Sequence, residues 1–203
     1  MPAKNVTAVV LRATDYKDYD RLLRLFTPDE GVLSAVIKGV RRPKAKLKFA
    51  AQPFSLNEYA LVERGGYHTV TECAPIETMF EIASDPDRYM AGAAMLETTE
   101  RAVGEIASPE TFVVFLKALK SLAYSAAQPY AVLDKYLIDL LRIMGYGFEY
   151  RSQPFAALNA TDYEQLGATE FPDTEKAAVR LLRVCEDKFL CSIKATGQIG
   201  KIK

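Results

Sequence analysis

The chain has 203 residues, 49% of them apolar, and 26 Lys/Arg balance 26 Asp/Glu to a formal net charge of zero. That length holds one large or two small domains with ample core, and no apolar run approaches the roughly 20 residues of a membrane-spanning helix. A zero net charge argues against a uniformly basic nucleic-acid binder, and three scattered cysteines fit a reducing compartment.

No charged-then-apolar leader precedes Asn5-Val6-Thr7-Ala8, so cytoplasmic residence is the expectation. From Asn5 to Glu77 the pattern predicts strands. Val6 to Leu11 is β-branched and apolar until Asp15-Tyr16-Lys17-Asp18 breaks it. Arg21 to Thr27 follows, closed by Pro28-Asp29-Glu30-Gly31, with Pro at i+1 and Gly at i+3 of a type I turn. Val32 to Lys38 makes a third strand and Phe54 to Glu63 a fourth. Arg64-Gly65-Gly66-Tyr67 is a two-residue hairpin, where two glycines accept positive φ without strain. Tyr67 to Ala74 is the fifth strand, which Pro75 is expected to end because it lacks an N–H for the ladder. Five short strands with one long loop predict a small closed barrel of OB-fold type, and an SH3-like barrel would read similarly.

From Asp85 the period changes to helical. Pro86 opens a helix whose Ala- and Met-rich body runs from Tyr89 to Ile106. Ser108-Pro109-Glu110 starts a second, reaching about Ser125 through Phe112, Phe115, Leu116, Leu119 and Leu122. Pro129 starts a third, with Leu133, Tyr136, Leu137, Leu140, Leu141 and Met144 on one stripe and Gly145 as its stop. Residues 146–173 read as irregular; Asp173 or Thr174 caps a fourth helix to about Leu190, and Thr196 to Lys203 is expected to fray. The architecture is therefore α+β and multidomain: a five-stranded barrel over residues 1–80, then an all-α domain over 81–203.

Charge is distributed unevenly along this plan. Residues 1–57 carry 11 Lys/Arg against 5 Asp/Glu, and residues 58–110 carry 3 against 11. Most of the excess sits in the long loop: Lys38, Arg41, Arg42, Lys44, Lys46 and Lys48, with no acid between Glu30 and Glu58. Gly39 and Pro43 keep this segment out of a helix. Six cations so close repel one another, which is tolerable when they are solvated or matched by a polyanion. Lys38, Arg41 and Arg42, next to a strand, are the leading phosphate contacts; Lys44, Lys46 and Lys48 should be more mobile. Arg12 and Arg24 are candidates to extend the surface. Tyr16, Tyr19, Phe49 and Tyr67 are candidate base-stacking aromatics, whereas Phe26, Phe54 and Tyr59 read as core.

Catalytic signatures are missing. His68 is the single histidine and has no nucleophile motif beside it, so a triad is not expected. Neither G-x-x-x-x-G-K-[ST] nor G-x-G-x-x-G occurs, and no cysteine pair has the two-residue spacing of a zinc site. Cys185 and Cys191 are predicted on one helix, about 120° apart at ~100° per residue, so they do not converge. Cys73 reads as a buried strand residue. An enzyme, a metal or an organic cofactor is not expected.

Asp15-Tyr16-x-x-x-Asp20-Arg21-Leu-Leu, Leu25-Phe26-Thr27, Gly31-x-Leu33, Lys38-Gly39-x-Arg41-Arg42-Pro43-Lys44 and Gln52-Pro53-Phe54 together resemble the RecO family of bacterial recombination mediators. The likeness is dense over residues 6–80 and continues through Leu140-Leu141-Arg142-Ile143-Met144-Gly145-Tyr146. It implies an OB-fold followed by a helical domain. It also implies a non-catalytic, ATP-independent protein that binds single- and double-stranded DNA, anneals complementary strands and is nucleoid-associated. The implied partners are RecR, in many lineages RecF, and the single-stranded-DNA-binding protein, from whose complexes RecA loading begins; no membrane partner is implied. Many members carry a four-cysteine zinc module after the segment that is Gly145-Tyr146 here, but Gly147 to Leu158 contains no cysteine, so no zinc is expected. The long basic helical terminus expected of the family is also missing, which leaves the barrel loop as the main DNA contact. By charge pattern alone, an RNA-binding barrel module or a protein–protein adaptor with a basic loop fits equally well.

Overall fold

A computed structural model describes residues 3–104, 106, 108–147 and 154–199. These form two compact units, residues 1–79 with 103–109 and residues 80–102 with 110–203.

The first unit is a closed barrel of five strands, β1 (Lys4–Tyr16), β2 (Asp20–Thr27), β3 (Gly31–Ile37), β4 (Leu56–Arg64) and β5 (Tyr67–Glu77). Its order is β1-β2-β3-β5-β4, with β3 and β5 parallel and every other pair antiparallel. That is the OB arrangement, not the SH3-like alternative. β1 does not end at Leu11. Its first half pairs with β4 and its second with β2, and a bulge between Val10 and Arg12 lets one long strand turn that corner. Arg12, Thr14, Asp15 and Tyr16 are exposed and only the small Ala13 among them is part-buried, so the stretch gives no apolar alternation to reveal this continuation. Nor does Pro75 end β5, since β3 pairs with β5 only over His68–Val70. Beyond Val70 one side of β5 has no ladder for a missing N–H to break. The Gly65-Gly66 hairpin forms with both φ values positive, and Gly31 closes the β2–β3 turn at φ +67°.

Inside the barrel Val6, Ala8, Val10, Leu23, Leu25, Leu33, Ala35, Ile37, Leu61 and Val70 make one apolar cluster. Tyr59 is fully buried among them. Its hydroxyl donates to the Ala50 carbonyl at 2.7 Å and accepts from Asn57 Nδ2 at 2.9 Å. Burial, with smaller effects from its neighbours, pushes that phenol far above its ordinary range.

The second unit is built on α1 (Pro86–Val103), α2 (Pro109–Tyr124), α3 (Pro129–Ile143), α4 (Phe155–Ala160) and α5 (Thr174–Lys188). Asp85 Oδ1 accepts the Arg88 N–H at 2.8 Å and so caps α1. The Arg88 guanidinium donates to the carbonyls of Leu122, Ala123 and Ser125, neutralising the orphan acceptors where α2 ends. Gly145, at φ +78°, stops α3: its N–H bonds Arg142 O at 3.1 Å and that of Tyr146 bonds Leu141 O at 2.9 Å, a Schellman motif. Every residue of α3 from Tyr130 to Leu141 is buried, so it is the central helix of the unit.

Three expectations for this unit are corrected. The stretch from 154 to 173 is not irregular: α4 and a 3-10 turn at Tyr163–Ala168 bury Phe155, Leu158, Tyr163 and Leu166. Neither is long enough to show a period in sequence. Residues 148–153, also expected to be irregular, lie outside the described residues. Cys191 lies past the end of α5, while Cys185 is buried within it and its thiol is pushed up to about 12 by burial. The tail is ordered by a 3-10 turn at Lys194–Gly197, with Ala195 and Ile199 buried; residues 200–203 lie outside the described set. Among the described residues no helix is long and apolar enough to cross a membrane.

Asp134 of α3 is fully buried and neither carboxylate oxygen has a hydrogen-bond partner among the described residues. Burial holds its carboxyl well above the usual carboxylate range. The unfolded chain gives up this proton near pH ~4, so in the interval above that value the folded state binds more protons. Stability is then full below the unfolded pKa and falls as pH rises toward the folded one. Asp134→Asn is expected to flatten the decline of melting temperature above pH ~4, measured by thermal denaturation against pH; an unchanged profile would show that Asp134 does not titrate with folding.

Candidate polyanion-binding surface

The basic loop leaves β3 at Ile37 and returns to β4 at Leu56. Its backbone is pinned at both ends. The Gly39 N–H donates to Asp20 Oδ1 at 2.7 Å, and the Arg41 N–H to the Tyr19 carbonyl at 3.0 Å. At the far end, Lys48–Ala51 forms a 3-10 turn whose Ala50 carbonyl takes the buried Tyr59 hydroxyl. Between these points Val40, Leu47, Phe49, Ala50 and Ala51 turn into the barrel core, while the cations interleaved with them turn out. Gly39, at φ +64°, makes the reversal that an L side chain would strain. The segment is therefore apolar on its inner side and cationic on its outer side. Of the three lysines expected to be more mobile, Lys48 has its Nζ donating to the Pro43 carbonyl at 2.8 Å.

All six loop cations are exposed. Lys38, Lys44 and Lys46 have no carboxylate partner among the described residues. The Arg42 guanidinium lies over the Tyr19 ring, 5.3 Å from its centroid. Arg41 is paired: NH2 meets Asp15 Oδ2 at 3.0 Å, and NH1 donates to the Asp18 carbonyl at 3.3 Å. Asp15 belongs to the end of β1, not to the acidic midsection of the sequence. The β1–β2 register sets it opposite Arg21, whose Nε reaches Asp15 Oδ1 at 3.2 Å.

Arg12 and Arg24 face each other across β1 and β2. Arg12 is exposed; Arg24 is half-buried and donates to Ser34 Oγ at 2.6 Å. Of the candidate aromatics, Tyr16, Tyr19 and Tyr67 are exposed, whereas Phe49 is partly buried and packs against the barrel core. Phe26, Phe54 and Tyr59 are core. Cys73 is half-buried, and burial raises its thiol to about 11. Arg21 was not a candidate by sequence. Its place in β2, two residues before the inward-facing Leu23, is the signal that could have found it.

Outward cations with few counter-ions, gathered on one loop, create a local positive potential inside a neutral molecule. Their hydrogen bonds suit phosphate oxygens, which carry no sequence information. Fold and surface thus define a class: an OB-barrel protein with an exposed cationic loop between its third and fourth strands.

Comparison narrows the class. Residues 1–79 match the family described as "Recombination protein O N terminal". The chain is 33% identical over 142 residues to a "DNA repair protein RecO" from Nocardioides sp., covering 68% of this chain and 58% of that one. A protein of the same name from Thermobifida fusca is 34% identical over 141 residues, covering 68% and 58%. One from Desulfitobacterium hafniense is 33% identical over 148 residues, covering 72% and 53%. The chain belongs to the RecO family, and it spans a little over half the length of these relatives.

Proposed function

We propose that this protein is a non-catalytic mediator of DNA repair and recombination. It binds single- and double-stranded DNA through Lys38, Arg41, Arg42, Lys44, Lys46 and Lys48, with Arg12 and Arg24 extending the surface, and anneals complementary strands without ATP. With RecR, and with RecF where that protein is present, it helps load RecA onto DNA coated by the single-stranded-DNA-binding protein, in the cytoplasm at the nucleoid. The observation that carries this is a row of outward loop cations, of which Lys38, Lys44 and Lys46 have no carboxylate partner among the described residues, on a barrel of OB topology. The name shared by its relatives supports the same reading.

Annealing follows from charge neutralisation. Two strands repel through their phosphates, cations on one surface screen that repulsion, and base pairing then selects partners. Contacts blind to sequence suit a protein that must act on any sequence.

The salt dependence of single-strand affinity tests the reading. Each neutralised phosphate contributes ~0.7 to the log–log slope, so Lys38, Arg42, Lys44 and Lys46 give about −3, and all six loop cations about −4. The shallower slope weakens binding roughly 50-fold between ~50 and 200 mM salt. A slope near zero would remove the loop from DNA binding. Strand annealing without nucleotide separates the mediator from an adaptor, and stronger competition by RNA of the same sequence at fixed salt would favour an RNA-binding module.

A further inference from the structure

Beside the loop, Arg21, Val40, Arg41, Lys48 and Gln52 line a pocket of about 290 Å³ at the barrel rim. Three of the five are cations and a fourth is a carboxamide donor; Val40, 4% exposed, is buried at its side. Such a set matches a phosphate, because guanidinium forks and an ammonium supply N–H groups to several oxygens at once.

One carboxylate occupies this chemistry. Asp15 takes Arg21 Nε on one oxygen at 3.2 Å and Arg41 NH2 on the other at 3.0 Å. Its side chain is 54% exposed, so it is not held by packing. Arg41 is placed without it, since the Arg41 N–H bonds the Tyr19 carbonyl and its NH1 bonds the Asp18 carbonyl. Of the neighbouring acids, Asp20 is committed to the Gly39 N–H. Asp15 is thus an anion bridging two arginines much as a phosphate would, on an exposed side chain.

We propose that Arg21, Arg41, Lys48 and Gln52 form a discrete phosphate subsite, and that Asp15 is its resident counter-anion, displaced when a backbone phosphate docks. This rests on the polyanion-binding reading of the loop and deepens it. A phosphate on the loop's outer cations meets little competition, whereas one entering the rim pocket must first expel a carboxylate. Asp15 therefore weakens binding and shallows its salt dependence, the opposite of what an organising residue does.

The test compares single-strand affinity of wild type, Asp15→Asn and Asp15→Asn/Arg41→Gln across salt concentrations, with pyrophosphate as a second probe that involves no DNA. Asp15→Asn keeps the shape and most hydrogen-bonding capacity of an exposed side chain, so folding is unaffected. Its affinity for a short single strand is expected to rise about two- to fivefold at low salt, the size of an exposed ion pair removed. The slope should steepen by ~0.7, one further phosphate. Pyrophosphate should raise the melting temperature of Asp15→Asn more than that of wild type, and the gains should vanish in the double variant. Unchanged or weakened DNA binding in Asp15→Asn would overturn the proposal. If Lys44→Glu/Lys46→Glu loses DNA while Asp15→Asn gains nothing, the subsite fails and the loop reading stands. If wild type shows no salt-dependent DNA binding while pyrophosphate still stabilises Asp15→Asn preferentially, the pocket stands as an anion site and the DNA reading fails.

Discussion

Reversing three loop charges together, Arg42→Glu, Lys44→Glu and Lys46→Glu, is expected to cut single-strand affinity by at least ~10²-fold at about 0.1 M salt and to abolish annealing. Three lost phosphate contacts take about 2 off the log–log slope, and over the decade from 0.1 M to 1 M salt that is the stated factor before any new repulsion is counted. Stability should hardly change. Lys44 and Lys46 are exposed and without carboxylate partners among the described residues, and such surface substitutions stay within about 0.5 kcal/mol each. Arg42 loses its contact with the Tyr19 ring, a further ~0.5–1 kcal/mol. Arg41 is deliberately spared, because a glutamate there would face Asp15 and confuse electrostatic binding with local strain. Filter binding against salt, with a melting curve for each variant, makes the check. A folded triple variant that still anneals would show that the loop is not the active surface.

How far this surface could be read from sequence depends on the distance over which its causes act. The cations themselves, the Pro43 and Gly39 breaks, and the strands on either side are local features, and they stand where alternation and turn chemistry put them. The hairpin glycines and the Gly145 stop were legible for the same reason, since positive φ narrows the choice of residue. What sequence hid is tertiary. Asp15 and Asp20 meet the loop only because β1 continues past its bulge and turns into β2 beside it, bringing carboxylates distant in sequence onto Arg41 and Gly39. A charge count along the chain sees an acid-free segment where the fold supplies two acids. The apolar inner side formed by Val40, Leu47 and Phe49 was hidden likewise: each is a single apolar residue among cations, without period, and becomes core only once the barrel end is there to receive it.

In the helical unit the largest stability effect is expected at Asp139, where Asp139→Ala should lower the unfolding free energy by about 3–5 kcal/mol. Asp139 is 3% exposed and serves as acceptor to three side chains. Oδ1 takes Lys135 Nζ at 3.1 Å and Arg142 NH2 at 3.0 Å, while Oδ2 takes the Tyr163 hydroxyl at 3.1 Å. Arg142 can return to water, being 60% exposed at its side chain. Lys135 cannot: it is buried, and its other hydrogen bond is a long one, 3.5 Å to the Asn159 carbonyl. Truncation at 139 therefore strands a buried ammonium and a buried phenol, and that, more than the lost attraction, sets the cost. Because Lys135 and Tyr163 come from α3 and the 3-10 turn after α4, the same change should loosen residues 155–168 before the rest of the unit opens. Hydrogen exchange would report this as early loss of protection there. The companion variant Lys135→Met/Asp139→Leu removes both buried charges and should recover most of the loss, since an apolar pair of similar volume often matches or betters a buried ion pair. Urea midpoints at constant slope measure both. If the double variant is no more stable than Asp139→Ala, the penalty does not come from the stranded charge, and the network acts by shaping the contact between α3 and the segment after it.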